Sequence, residues 1–164
     1  MIFIIMGVSG SGKTTVGLEV ASRLGYEFSD ADDFHSAANK AKMASGMPLN
    51  DDDRAPWLQA LHSAIESWQR TTTGHVLACS ALKDSYRVAL GAGHPDRKFI
   101  YLKGSFELIQ SRLEHRAGHF FNPALLRSQF DALEDPKDAI IVDAAKSVDE
   151  QVNEILRATT AIPS

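Results

Sequence analysis

Cysteine is almost absent from this chain. Cys79 is the only one among 164 residues, so no intramolecular disulfide can form, and a reducing compartment, the cytoplasm by default, is the natural setting. Long apolar runs are missing as well. Met1 to Met6 is far too short to span a membrane and lacks the basic start and cleavage site of a secretory signal, so no membrane partner is expected. Positive charge is not in excess: 17 basic against 21 acidic residues leave a net charge of −4. That balance argues against a general grip on nucleic acid, while leaving room for a local basic pocket that takes one anionic metabolite. No histidine or cysteine cluster has metal-ligand spacing, so the only metal expected is one that arrives with a nucleotide. No repeat, low-complexity tract or Pro/Gly/Ser linker breaks the chain, which reads as one domain over residues 1–164.

What is present is an ordinary globular composition, 44% hydrophobic and 23% charged, with enough chain to bury a full core. Four continuous apolar runs, Ile2 to Met6, His75 to Cys79, Phe99 to Leu102 and Ala139 to Val142, read as parallel strands covered on both faces. Tyr26 to Ser29 is a weaker fifth candidate. Between them, amphipathic helices are predicted over Thr14 to Leu24, Pro56 to Trp68, Phe106 to Leu113 and Val148 to Leu156. Alternation of this kind predicts an α/β fold with a parallel sheet and helices on both faces, and a ligand site beyond the carboxyl ends of the strands.

Gly7-Val8-Ser9-Gly10-Ser11-Gly12-Lys13-Thr14 matches the phosphate-loop pattern G-x-x-x-x-G-K-[ST]. Its glycines let successive N–H groups converge on phosphate oxygens. Lys13 supplies charge near the β and γ phosphates, and Thr14 offers a hydroxyl to Mg²⁺. Composition alone would produce that string in fewer than roughly one chain in a hundred of this length. Here it also lies between a strand and a helix, the context that marks a binder of ATP or GTP.

The remaining candidates each have a plainer reading. Asp30 and Asp32, after the second strand, suit the metal shell and an accepting hydroxyl, or else an acidic turn that caps a helix. Asp51 to Asp53 read as a solvated helix start with Pro56 near the first turn, and Arg54 either as a carboxylate binder or as a surface ion pair with those acids. Lys83 and Arg87, four apart, share one helix face and could hold an anion together, or simply form a basic surface. Arg112 and Arg116, also four apart and followed by Gly118-His119-Phe120-Phe121, suggest a lid over phosphates or a basic helix end.

Taken together, these stretches resemble the small P-loop gluconokinases, relatives of shikimate and adenylate kinases. The resemblance is carried by Gly7 to Thr14, Asp30 to His35, Lys42-Met43, Gly46 to Leu58, Cys79 to Lys83 with Tyr86-Arg87, Phe99 to Gly104, Arg112 with Arg116 to Phe121, and Ser128-Gln129-Phe130. It covers almost the whole chain, and the runs Pro48 to Leu58 and Cys79 to Arg87 are its most specific parts. Ser36 stands where family members often have proline, and Ala117 where they often have lysine.

The resemblance implies ATP- and Mg²⁺-dependent phosphorylation of D-gluconate at its 6-hydroxyl by a homodimer. It also implies a five-stranded parallel sheet, a substrate-side helical region over about residues 34–72 and a short lid over about 114–124. On that reading Lys13, Asp30 and Asp32 are catalytic. Gly7 to Thr14 with Arg112 and Arg116 bind the nucleotide, and Asp32, His35, Arg54, Lys83 and Arg87 bind the sugar acid. No acid ends the third strand, where many P-loop proteins hold Mg²⁺ indirectly, and Asp30 is the residue expected to replace it. A kinase for shikimate or a nucleoside monophosphate is the nearest alternative, and a nucleotide-dependent binding module a more distant one.

Overall fold

A computed structural model describes residues 1–71, 73–115 and 123–160. Five strands, β1 (Ile2–Met6), β2 (Glu27–Asp30), β3 (His75–Ala78), β4 (Arg97–Lys103) and β5 (Ile140–Asp143), form one sheet in the order β2-β3-β1-β4-β5. Every pairing is parallel. The weak fifth candidate is therefore a true strand, shifted by one residue and placed at the sheet edge, where partial exposure explains its mixed composition.

The unbroken apolar runs have a direct cause. Successive side chains of a strand point to opposite faces, and both faces here are covered. Ile2, Ile4 and Met6 pack with Trp57, Leu61 and Ile65 of α3 (Asp51–Gln69). Phe3 and Ile5 pack with Val16 and Val20 of α1 (Lys13–Leu24) and with Val152 and Ile155 of α7 (Val148–Thr160). A smaller cluster joins Val8 and Leu82 to Ile109 of α5 (Phe106–Glu114) and Leu126 of α6 (Pro123–Ala132).

Two further helices, α2 (Ala37–Ala44) and α4 (Asp84–Ala89), flank the carboxyl ends of the strands. Ser36 caps α2 by accepting from the Asn39 N–H at 3.1 Å. Helix α3 begins at Asp51, five residues before the expected start, so Pro56 lies inside it. The reason is a capping box. Asn50 accepts from the Asp53 N–H at 2.7 Å, the Asp53 carboxylate accepts from the Asn50 N–H at 3.0 Å, and three acids face the positive helix end. Among the described residues no helix is long and apolar enough to cross a membrane.

Candidate active site

A cleft of about 1100 Å³ opens at the carboxyl ends of the strands, between α1 on one side and α2, α3 and the start of α4 on the other. Its floor is the phosphate loop. Gly10 and Gly12 hold φ of 80° and 99°, a left-handed region that favours glycine, and a Cβ on Gly10 would lie 2.8 Å from Leu113 Cγ. The loop therefore curls into the N-terminus of α1 and packs on α5 in a form that other residues would strain. The Lys13 ammonium donates to the Val8 carbonyl at 3.0 Å. Burial lowers its pKa, and the negative charges of Asp32 and Asp30 partly offset that.

Asp30 ends β2 in register with Ala78 of β3, so its carboxylate stands beside the third strand's end, where no acid occurs. The capping reading of Asp30 holds. One oxygen accepts from the Asp32 N–H at 2.9 Å and caps the following 3-10 turn; the other accepts from the Thr14 hydroxyl at 3.3 Å. Asp32 lies beyond it, open to the cleft. Burial raises its pKa, the neighbouring Asp30 raises it further, and Lys13 opposes both.

His35 is buried, stacked on Trp57 with ring centroids 4.4 Å apart. Its pKa is depressed to about 4, by burial first and then by Arg54 and Lys40, so the ring is neutral near pH 7. The tautomer follows from its neighbour. Asn39 Nδ2 donates to the Asp53 carbonyl at 2.7 Å, so the same amino group donates its other hydrogen to His35 Nδ1 at 3.3 Å. Nε2 of His35 then carries the proton, a neutral donor on a residue that lines the cleft.

Opposite the phosphate loop, four side chains interlock. The Tyr86 hydroxyl donates to Asp51 at 2.5 Å and accepts from Arg54 Nη1 at 3.1 Å, while Lys83 donates to the same Asp51 oxygen at 3.2 Å. The Arg54 and Lys83 cations each lie 5.5 Å from the Tyr86 ring centroid. Asp51 is held below its ordinary pKa by the Tyr86 and Lys83 hydrogen bonds. Among the described residues no carboxylate is ion-paired with Arg54, so its surface ion-pair reading does not hold.

Arg87 is the correction. It does not line the cleft, and it is buried with 4% exposure. Lys83 is the extended N-cap of α4 rather than its first turn, so the expected shared face does not exist. The Arg87 guanidinium instead donates to the Ala81 carbonyl at 2.7 Å, to the Glu134 carbonyl at 2.8 Å and to Asp84. Ala81 has φ 45°, a left-handed conformation that is costly for alanine, at the sharp turn leaving β3. Arg87 anchors that turn and so sets where Lys83 stands.

Arg112 lines the far end of the cleft and donates to the Ala144 carbonyl at 2.5 Å. Arg116, His119 and most of the expected lid lie outside the described residues. Sequence reasoning missed the role of Tyr86 as a bridge behind the cleft wall, and two groups that line the cleft: Gln129, and the Lys146, Ser147, Val148 and Gln151 wall after β5. For the last group the available signal was position alone, since it follows a strand's carboxyl end. Among the described residues no group of three or more His, Cys, Asp or Glu side chains is arranged to hold a metal by itself.

The family model for shikimate kinase matches residues 9–160. The chain is 47% identical to the thermoresistant gluconokinase of Escherichia coli K12, over 98% of this chain and 92% of that protein. It is 48% identical to a probable gluconokinase of Dictyostelium discoideum, over 94% of this chain and 84% of the relative. A crystal structure of a gluconokinase from Sinorhizobium meliloti 1021 superposes with a TM-score of 0.85 at 41% identity, covering 96% of this chain and 90% of that one.

Proposed function

The chain belongs to the gluconokinase family of small P-loop kinases, and we propose that its cleft divides the reaction between a nucleotide half, Gly7 to Thr14, and an acceptor half, His35, Arg54 and Lys83. The reaction is ATP-dependent phosphorylation of D-gluconate at the 6-hydroxyl, giving 6-phospho-D-gluconate and ADP. The observation that carries the division is one cleft with Lys13, Asp30 and Asp32 on one wall and two cations, Arg54 and Lys83, on the other.

In the nucleotide half, the amides of the loop and the α1 N-terminus hold the phosphates, and Lys13 stabilises charge on the transferred phosphoryl. Arg112 flanks the nucleotide at the far end, and a nucleotide role for Arg116 rests on the family resemblance alone. Mg²⁺ suits the donors here. The Thr14 hydroxyl and Asp30 carboxylate are hard oxygens 3.3 Å apart, and Mg²⁺ takes one or two protein oxygens alongside substrate phosphates. When bound, it neutralises charge on the phosphate oxygens.

In the acceptor half, Arg54 and Lys83 bind the carboxylate of the sugar acid, and the His35 Nε2–H donates to a hydroxyl. Asp32 takes the proton of the accepting hydroxyl. Its raised pKa makes it a stronger acceptor than an ordinary aspartate. Helices α2 and α3 form the substrate-side region. A homodimer in the cytoplasm completes the reading, supported by the family resemblance, and light scattering checks its first half.

An acceptor panel scored by ADP release tests the assignment. D-gluconate stimulates release far more than shikimate, AMP or glucose, because glucose leaves both cations without a carboxylate. Equal stimulation by glucose and gluconate would sink the acceptor half.

A further inference from the structure

Two hydrogen bonds join residues 120 positions apart. The Ser9 N–H donates to Oε1 of Gln129 at 2.7 Å, and Nε2 of the same carboxamide donates to Ser9 Oγ at 2.9 Å. One planar group thus satisfies both a donor and an acceptor of a single phosphate-loop residue, which fixes that residue's orientation as well as its position. Both residues line the cleft. Gln129 is itself well placed, because α6 packs Leu126 and Phe130 into the cluster that contains Val8 and Ile109.

The location gives this clamp its meaning. The Lys13 ammonium lies 3.0 Å from the Val8 carbonyl, and a phosphate-loop lysine reaches the β and γ phosphates. The Val8-Ser9 segment therefore borders the γ-phosphate end of the site, while the amides of Gly12 to Thr14 at the α1 N-terminus serve the phosphates behind it. Gln129 Nε2 carries a second hydrogen that has no partner among the described residues.

We infer that Gln129 is a positioning residue for the transferred phosphoryl: it locks Ser9 and presents its second N–H to the γ-phosphate. ADP, which lacks that phosphate, gains nothing from it. The inference rests on Gly7 to Thr14 being the nucleotide loop, and its test separates the two.

Titrations of ADP and of the non-hydrolysable β,γ-imido analogue of ATP, on wild type and on Gln129→Ala, decide it. The variant binds the analogue about tenfold more weakly, the effect of one to two lost hydrogen bonds, while its ADP affinity stays within about twofold. Its kcat falls by about the same tenfold, with the KM for gluconate unchanged. Gln129→Glu keeps an acceptor for the Ser9 N–H but sets a negative charge beside the γ-phosphate. It therefore loses more analogue affinity than the alanine variant and still binds ADP, and it carries the test if the alanine variant fails to fold. Equal weakening of ADP and analogue, or no weakening of either, overturns the inference. Wild-type protein that binds neither nucleotide overturns the loop assignment itself.

Discussion

The two halves of the cleft are built from different material. The nucleotide half is mostly backbone: eight consecutive residues, Gly7 to Thr14, curl between a buried strand and a helix, joined by Asp30, Gln129 and Arg112 from elsewhere. The acceptor half is mostly side chains. His35 comes from the turn after β2 and is held by Asn39, whereas Asp51 and Arg54 from the start of α3, and Lys83 and Tyr86 from the turn after β3 and from α4, order one another by mutual hydrogen bonds. A backbone cradle is encoded locally and tolerates changes around it. A side-chain network depends on every contributor, so single changes there should alter acceptor binding without touching nucleotide affinity.

The sharpest break in that comparison is Lys13→Met. With the charge on the transferred phosphoryl unsupported, kcat falls by about 10³-fold while the circular dichroism spectrum stays native, because the loss is electrostatic and local. Turnover near the wild-type rate would mean the loop is misassigned. Arg87→Met comes next, and it acts on stability. The buried Ala81 carbonyl, the Glu134 carbonyl and the Asp84 carboxylate lose their donor, which costs about 3 kcal/mol by denaturant titration. The change lowers Tm, and any rise in the gluconate KM accompanies that loss, because the turn that seats Lys83 loosens with it. A large KM effect at full stability would return Arg87 to the acceptor site.

Arg54→Ala tests the independence of the halves. kcat/KM for gluconate drops by about 100-fold through the lost carboxylate contact, with ADP affinity unchanged in the same protein. A parallel loss of ADP binding would show that the halves are coupled. Asp30→Asn and Asp32→Asn divide the roles at their boundary. The first lowers kcat by about tenfold, since Asn still caps the turn but lacks the charge that the proposed Mg²⁺ role requires. The second also raises the KM for gluconate, as seen in kinetics over a gluconate and Mg²⁺ matrix. Full activity in both variants would leave only the helix-capping role.

The smallest effect is on pH dependence. His35 has a folded pKa of about 4 against an ordinary 6.5, so between those values the unfolded chain binds more protons than the folded one. Stability from this residue is complete above pH 6.5 and is lost as pH falls toward 4. Thermal melts of wild type and His35→Gln across that window should converge as pH falls. Parallel curves would mean that His35 is not held neutral.

Legibility in the sequence followed the same division. The strands and the phosphate loop were readable because burial on both sheet faces forces continuous apolar runs, and because a cradle of N–H groups needs glycine at fixed spacing. The edge strand β2 was faint because half of it faces solvent. Lys83 and Arg87 illustrate the limit. Spacing of four implies a shared face only inside a helix, and α4 begins one residue after Lys83. Pro56 misled in the same way, since the Asn50–Asp53 box starts α3 earlier than the proline suggests.

By itself the sequence determined the parallel α/β architecture, the phosphate loop with Lys13 and Thr14, and the strand-end placement of Asp30 and Asp32. Each of these follows from local chemistry or from the two-sided burial of a strand. Only the tertiary structure decided that Arg87 is an anchor rather than a ligand, that Tyr86 bridges Asp51 and Arg54, and that Gln129 clasps Ser9 across 120 residues. Those contacts join positions far apart in the chain, and their geometry is set by how α3, α4 and α6 pack on the sheet, which no local spacing can express.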